Sequence, residues 1–310
     1  MRIAVLYGGT SKEREVSLST GEGMIKALRH LGHDVVAIDF NPAKLTQHIN
    51  DLENVDFVLI GLHGKQGEDG RVQGFLELLD LPYLGSGVLA SSLAMDKSRA
   101  KQIFANEGLP IARSQTFSKK MNIKEIYQTV IETFDYPFVI KPNQEGSTLG
   151  LTFVHQQEEV EKALHLAFSH DDQLIVEDFV EGRELTVSVF GDQGEEEALP
   201  IIEIIPKNKY YDYEAKYSEG GSQHIVPANI AESLTNRIQS LAVKAHQALG
   251  CESYSRVDFI LNNQGEPIIL EVNTLPGMTP TSLYPDAAAA IGLSYEDMLE
   301  KLVRLAMKNY

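Results

Sequence analysis

The stretch Ile268-Ile-Leu-Glu271-Val-Asn273-Thr-Leu-Pro276-Gly277-Met278 decides the reading of this chain. Apolar residues run straight into the Glu271 carboxylate, and an amide follows two positions later. Side chains at i and i+2 of a strand point the same way, so Glu271 and Asn273 present oxygens to one point. Upstream, Ser255-Arg256-Val-Asp258-Phe-Ile-Leu261 puts Arg256 and Asp258 on one face by the same rule. Asn262-Asn263-Gln-Gly265 between the two runs reads as a hairpin turn. An acidic residue at a strand end is by itself more often a solvated turn. Two paired strands with matched polar faces point further, because hard oxygen ligands beside an arginine are what Mg²⁺ and a nucleoside triphosphate require.

Composition narrows the setting. A chain of 310 residues suggests two or three domains rather than one small core. A formal charge of −17 argues against nucleic acid as a partner, although cations gathered in one cleft can still hold ATP. The single cysteine, Cys251, excludes an internal disulfide and fits a reducing cytoplasm. With no local histidine it reads as a small apolar filler rather than a nucleophile. No apolar run approaches the roughly 20 residues of a membrane span, so no membrane partner is expected. Met1-Arg2 followed by Ile-Ala-Val-Leu-Tyr7 reads as a first strand, not a signal peptide.

The first ninety-odd residues alternate strand and helix patterns. Ile3–Tyr7, Val35–Phe40 and Phe57–Leu62 read as buried strands, and Val16–Leu31, closed by Gly32, and Arg71–Leu79 as helices. Such alternation implies an α/β unit with a parallel, doubly wound sheet, whose ligands bind beyond the carboxyl ends of the strands. Gly8-Gly9 and His63-Gly64 fall at that edge. Helix Asp96–Glu107 leaves this unit. Strands Pro137–Lys141, Leu151–Val154 and Leu174–Asp178 with helix Glu158–Phe168 predict a compact α+β unit. Strands at Leu185–Phe190 and Leu199–Ile205, helix Glu232–Leu249, the two site strands and helix Tyr295–Met307 make up the remainder. The boundaries implied are 1–95, 96–183 and 184–310. The long polar stretch between Lys207 and Gln223 suits a lid or a merely solvated loop.

Several residues carry chemistry only in company. Lys141 ends a strand before the glycine-bearing loop Asn143–Gly150, where backbone N–H groups and a point charge can hold phosphate, or a lysine can simply reach solvent. The loop fits neither the P-loop nor the dinucleotide-binding pattern. Glu177 and Phe179 share a strand face and suit ribose and adenine, as does Glu184 at the next strand; an acidic surface loop is the comparable alternative. Lys97 alone reads as a surface lysine, and Glu13 alone as a complement to a helix dipole.

Taken together, the segments resemble the D-alanine–D-alanine ligase family of the ATP-grasp superfamily. The carrying motifs are Gly8-Gly-Thr-Ser-Lys-Glu13-Arg-Glu-Val-Ser-Leu18, Leu62-His63-Gly-Lys-Gln-Gly-Glu-Asp-Gly70, Tyr83-Leu-Gly-Ser-Gly87 and Met95-Asp-Lys97. Lys141-Pro, Glu145-Gly-Ser-Thr148, Tyr211-Asp-Tyr-Glu-Ala-Lys-Tyr217, Arg256-Val-Asp258 and Glu271-Val-Asn-Thr-Leu-Pro-Gly-Met-Thr279 follow in family order and spacing. The resemblance implies a doubly wound pre-ATP-grasp domain followed by a two-lobed α+β ATP-grasp fold. It further implies ATP-driven joining of two D-alanines through an acyl phosphate, for peptidoglycan precursors, by a cytoplasmic homodimer.

By the same resemblance, Lys97, Lys141 and the Glu145–Gly150 loop meet the phosphates, Glu177, Phe179, Val180 and Glu184 form the adenosine site, and Asp258, Glu271 and Asn273 hold two Mg²⁺, which Mn²⁺ can replace. Glu13 receives the first D-alanine's ammonium with His63 nearby, and Ser282 and Leu283 meet the second carboxylate. Lys216 and Arg256 neutralise charge, and Arg256 with the Gly277 N–H stabilises the oxyanion. Ser147, Tyr217 and Glu13 link loop and substrate pocket, and a tyrosine at 217 matches dipeptide-forming members over those that use D-lactate. Phe179 stands where some members carry tryptophan, and Leu275 where some carry serine; neither removes a ligand. Another amino acid as substrate, or a non-catalytic nucleotide sensor, would predict losses in these motifs that are not seen.

Overall fold

The computed structural model describes residues 1–192, 194–207 and 221–310, which form three sheets. In the first, β1 (Arg2–Tyr7), β2 (Asp34–Asp39) and β3 (Phe57–Ile60) are parallel in the order β2-β1-β3. Helix Arg14–His30 crosses from β1 to β2 and buries Ser17, Thr20, Gly21, Met24 and Leu28, a face repeating every three or four residues. A Cβ on Gly21 would lie 2.2 Å from the Tyr7 Cβ, so only glycine lets this helix approach the sheet so closely. One expectation fails here. β2 is an edge strand with Ile38 as its one fully buried residue, because only β1 covers its flank.

The second sheet is antiparallel, in the order β4-β7-β5-β6, from β4 (Ser114–Ser118), β5 (Phe138–Pro142), β6 (Thr152–Val154) and β7 (Gln173–Asp178). Helices Ile123–Thr133 and Val160–His170 back it with a core including Phe117, Val130, Phe138, Leu164 and Phe168. β4 and the helix after it lay outside the sequence expectation. Ser114-Gln-Thr-Phe-Ser118 has no apolar run because it borders the sheet and buries only Phe117.

The third sheet runs β11-β10-β8-β12-β13, with β9 beside β8. Its strands are β8 (Gly182–Phe190), β9 (Glu197–Ala198), β10 (Ile202–Pro206), β11 (Ser222–Ile225), β12 (Tyr254–Asn262) and β13 (Pro267–Asn273). Helix Glu232–Ala248 packs Ile238, Ala242 and Ala245 against Val187, Val257, Phe259 and Ile269. Pairing of β12 with β13 sets Arg256 opposite Asn273 and Asp258 opposite Glu271. The register then shifts, so Phe259 pairs with Ile269 and Leu270 is the extra residue of a bulge. Both Leu270 and Glu271 consequently face the cleft described below, which strict alternation forbids.

Helix Tyr295–Ala306 is capped by Ser294, whose hydroxyl accepts from the Asp297 N–H at 3.1 Å. It buries Met298, Leu299, Leu302, Val303 and Ala306 in the same apolar cluster as Met24 and Leu28. The far end of the chain thus helps to build the first core.

Behind β12, the fully buried His246 has Nδ1 2.7 Å from Ser255 Oγ, beside Arg256 in sequence. Burial pushes its imidazole down to about 4 from the usual 6.5. Between those values the unfolded chain binds a proton that the folded chain refuses, so stability is whole above pH 6.5 and falls as pH drops towards 4. His246→Gln is expected to flatten this slope by about one proton, read as the urea midpoint against pH.

Candidate active site

Lys97, Lys141, Glu145, Ser147, Glu177, Phe179, Val180, Glu184, Asp258 and Glu271 line one cleft of about 780 Å³ between the two antiparallel sheets. At its base, Lys141 on β5 pairs in register with Ile175, which leaves Glu177 diagonally across and within reach. Lys141 Nζ lies 2.7 Å from Glu177 Oε2, and Lys101 Nζ lies 2.9 Å from Glu177 Oε1. Glu177 is 4% exposed. Burial works against its charge, but the ammonium groups of Lys141 and Lys101 outweigh burial and hold the carboxyl at about 2. Burial likewise opposes the Lys141 charge, and Glu177 and Glu271 together raise that lysine above its ordinary value. The surface-loop reading of Glu177 is therefore excluded. Phe179 forms a near-perpendicular contact with Phe153, ring centres 5.8 Å apart, on the cleft wall.

The opposite wall is the β12–β13 face. Arg256 grips Asp258 with two parallel bonds, Nε to Oδ1 at 2.9 Å and Nη2 to Oδ2 at 2.8 Å. Thr186 Oγ1 donates to Asp258 Oδ1 at 2.6 Å, and Asn273 Nδ2 to Oδ2 at 3.0 Å. Lys97 reaches in from the start of helix Lys97–Asn106, its Nζ 3.3 Å from Glu271 Oε2 and donating at 2.8 Å to the Glu145 carbonyl. It is a buried residue that bridges the carboxylate wall and the glycine-bearing loop, not a surface lysine.

That loop is strained where it turns. Ser147 and Thr148 both hold positive φ, 49° and 59°, which costs a non-glycine residue of order 1–3 kcal/mol. Ser147 Oγ donates to Glu13 Oε1, and Lys65 Nζ to Glu145 Oε1 at 2.7 Å, so the first domain holds the loop at two points. Glu13, just ahead of helix Arg14–His30, is buried, and the Gly64 and Gly146 backbones close on its carboxylate. Cβ atoms at Gly64 and Gly146 would stand 2.5 and 3.1 Å from Glu13 Oε2, and Gly64 also has φ +72°. Glu13 is the N-cap residue of that helix but makes no side-chain capping bond, its carboxylate accepting from Ser147 instead.

His63 stands between Thr20 Oγ1, 2.9 Å from Nε2, and Glu68 Oε1, 3.1 Å from Nδ1, so both ring nitrogens are engaged. Ser282 Oγ is 2.7 Å from Thr279 Oγ1 and accepts from the Thr279 N–H at 3.1 Å, while a Cβ on Gly277 would meet it at 3.1 Å. The Leu283 side chain lies in the apolar cluster of the first sheet, which leaves its backbone for any ligand. Lys216 and Tyr217 lie outside the described residues.

Lys101, Thr186 and Thr20 escaped the sequence reading. Lys101 follows Lys97 by one helical turn, and Thr186 follows Glu184 on the same strand face, so periodicity carried a signal for both. Lys65 falls inside the Leu62–Gly70 motif, which gave it no role of its own, and nothing local marks Thr20.

Two family models match the chain: "D-ala D-ala ligase N-terminus" over residues 40–86 and "D-ala D-ala ligase C-terminus" over residues 103–304. The D-alanine–D-alanine ligase of Halalkalibacterium halodurans is 54% identical, with both chains covered in full. Among solved structures, a D-alanine–D-alanine ligase from Bacillus anthracis complexed with ATP superposes with TM-score 0.85 at 32% identity, covering 100% of this chain and 98% of that one. The VanG D-Ala:D-Ser ligase from Enterococcus faecalis does so with TM-score 0.84 at 33% identity, covering 98% and 99%. With its parallel first sheet and two antiparallel lobes around a cleft, the chain belongs to the D-alanine–D-alanine ligase family of the ATP-grasp superfamily.

Proposed function

We propose that this protein uses ATP to join two D-alanines into D-alanyl-D-alanine, releasing ADP and phosphate. The observation that carries the reading is one cleft in which Lys97 and Lys141 face the carboxylates Asp258 and Glu271 while the Glu145–Gly150 loop reaches Glu13. Family membership at 54% identity over the full length supports the substrate.

In this reading Lys97, Lys141 and the Glu145–Gly150 loop hold the triphosphate. Glu177, Val180 and Glu184 hold the adenosine, with Phe179 against the adenine. The register-paired Asp258 and Glu271 with the Asn273 amide form a hard-oxygen donor set that fits Mg²⁺, or Mn²⁺ in its place. Arg256 and Lys97 lie on those same carboxylates, as expected of a site built for positive charge. Two such ions would hold phosphate and carboxylate oxygens together and offset their repulsion.

Glu13 takes the ammonium of the first D-alanine, beside His63. The substrate carboxylate oxygen attacks the γ-phosphorus, and the bond to the leaving ADP oxygen breaks. The free amine of the second D-alanine then attacks the carbonyl carbon of the acyl phosphate, the bond to the phosphate oxygen breaks, and the proton lost from nitrogen leaves with the phosphate. Arg256 and the Gly277 N–H stabilise the oxyanion of that step. Ser282 and the Leu283 backbone meet the second carboxylate. Lys216 adds charge at the phosphates, and Tyr217 completes the link of Ser147 with Glu13. The segments 1–95, 96–183 and 184–310 act as substrate domain and two ATP-grasp lobes, in a cytoplasmic enzyme supplying a peptidoglycan precursor. The same reading makes it a homodimer.

The test is ATP-dependent phosphate release with Mg²⁺, supplying D-alanine alone, L-alanine, or D-alanine with D-serine or D-lactate, the product identified by mass. Turnover on D-alanine alone, giving the dipeptide, is the expected result. Turnover only with D-serine or D-lactate overturns the second substrate, and no release with any of them overturns the activity.

A further inference from the structure

Lys101 has no part in the reaction as drawn, yet its ammonium is buried deep in the protein. Its side chain is 5% exposed, and Nζ reaches Glu177 Oε1 at 2.9 Å and the Ala112 carbonyl at 3.1 Å. Burying a cation is costly unless specific partners compensate, so chance placement is a poor account of it. Glu177 needs only one cation for neutrality, and Lys141 already lies 2.7 Å from its other oxygen. Two buried lysines therefore share one carboxylate at the base of the cleft. Burial lowers the Lys101 pKa despite Glu177, with the Lys141 charge adding to the effect, so the arrangement is held against an electrostatic cost.

We infer that Lys101 is a positioning residue for the nucleotide: it keeps Glu177 compensated and oriented, so that Lys141 can turn from the carboxylate to the phosphates. The inference rests on the reading of this cleft as the ATP site. When Lys141 engages phosphate oxygens it gives up part of its contact with Glu177. Without a second cation, that exchange strands a buried carboxylate, and Lys141 stays locked on it. With Lys101 in place, Oε1 keeps an ion-pair partner at 2.9 Å while Oε2 is left to the groups of the cleft. The helix Lys97–Asn106 supplies both cations one turn apart, Lys97 to the phosphate loop and Lys101 to the base of the site.

The experiment is a double-mutant cycle on the full chain, with ATP and Mg²⁺ titrated calorimetrically into the parent protein, Lys101→Met, Glu177→Gln and the double variant. Lys101→Met is expected to raise the Kd for ATP about 10- to 100-fold. In the Glu177→Gln background the same change should alter Kd by no more than about twofold, because no carboxylate then needs compensation. In turnover, Lys101→Met should raise KM for ATP, leave KM for D-alanine in place and change kcat by less than about threefold. An unchanged Kd, an equal loss in both backgrounds, or a loss confined to kcat overturns the inference. If Lys101→Met alone fails to fold, Glu177→Gln and the double variant still decide: equal ATP affinity supports it, and a further tenfold loss overturns it. A parent protein that does not bind ATP overturns the reading of the cleft and this inference with it, whereas normal binding with an additive cycle overturns only the role of Lys101.

Discussion

Replacing Arg256 by methionine is expected to lower kcat for dipeptide formation by about 10²–10³-fold, the loss typical of one oxyanion donor. Methionine keeps much of the arginine's length and apolar stem but none of its fork of donors. The defect should sit in kcat more than in KM for D-alanine, since the interaction strengthens as charge develops on the carbonyl oxygen. A second signature follows from the bidentate grip on Asp258. Without Arg256, that carboxylate keeps the Thr186 and Asn273 bonds but loses its adjacent cation. Mn²⁺ binding to the nucleotide-free variant, followed by electron paramagnetic resonance, should therefore tighten even as turnover collapses. Weaker Mn²⁺ binding, or unchanged kcat, would sink this account of Arg256.

The second large effect belongs to Lys141. Lys141→Met removes a phosphate cation and breaks a buried ion pair at once. Breaking such a pair usually costs about 3–5 kcal/mol, and the persistence of Lys101 on Glu177 should keep the loss near the lower figure. The measurable outcomes are a melting temperature lower by several degrees and kcat/KM for ATP reduced by at least about 10²-fold. The pair also carries a pH dependence. Glu177, depressed from 4.5 to about 2, contributes stability that is present above pH 4.5 and lost as pH falls through 2. In Lys141→Met part of that acid-side loss should move to higher pH, because one of the two cations holding the carboxyl down is gone.

The carboxylate wall was legible because it obeys a local rule. Arg256 with Asp258, and Glu271 with Asn273, are two apart on strands, and a hairpin turn names the partner strand. The bulge at Leu270 was not legible, since nothing in an alternating apolar run marks the position of an extra residue. Lys97 and Lys141 showed a second limit. Lys97 reads alone as a surface lysine and Lys141 leaves phosphate and solvent both open, and only the packing of a helix over the second sheet brings both to the cleft. Lys101 was missed for the same reason, although its one-turn offset from Lys97 placed it on the same helix face. The parallel order of the first sheet followed from alternation, whereas the exposure of β2 depended on which strands found two neighbours. Family resemblance supplied what neither spacing nor periodicity could, the identity of the amino acid.

The cluster joining Met24 and Leu28 to Leu299, Leu302 and Val303 has a consequence for how the protein is made. On the ribosome, the first sheet and helix Arg14–His30 emerge early, but part of what covers this helix comes only with residues 295–306. The stripe that meets helix Tyr295–Ala306 therefore stays open until those residues arrive, while the rest of the helix already has the first sheet to pack on. The core of the first domain is closed only when helix Tyr295–Ala306 returns to it, tied by His33 Nε2 to Glu300 Oε2 at 3.2 Å. Birth order and assembly order thus differ here, since the helix that follows Glu13 gains part of its covering only from residues made far later.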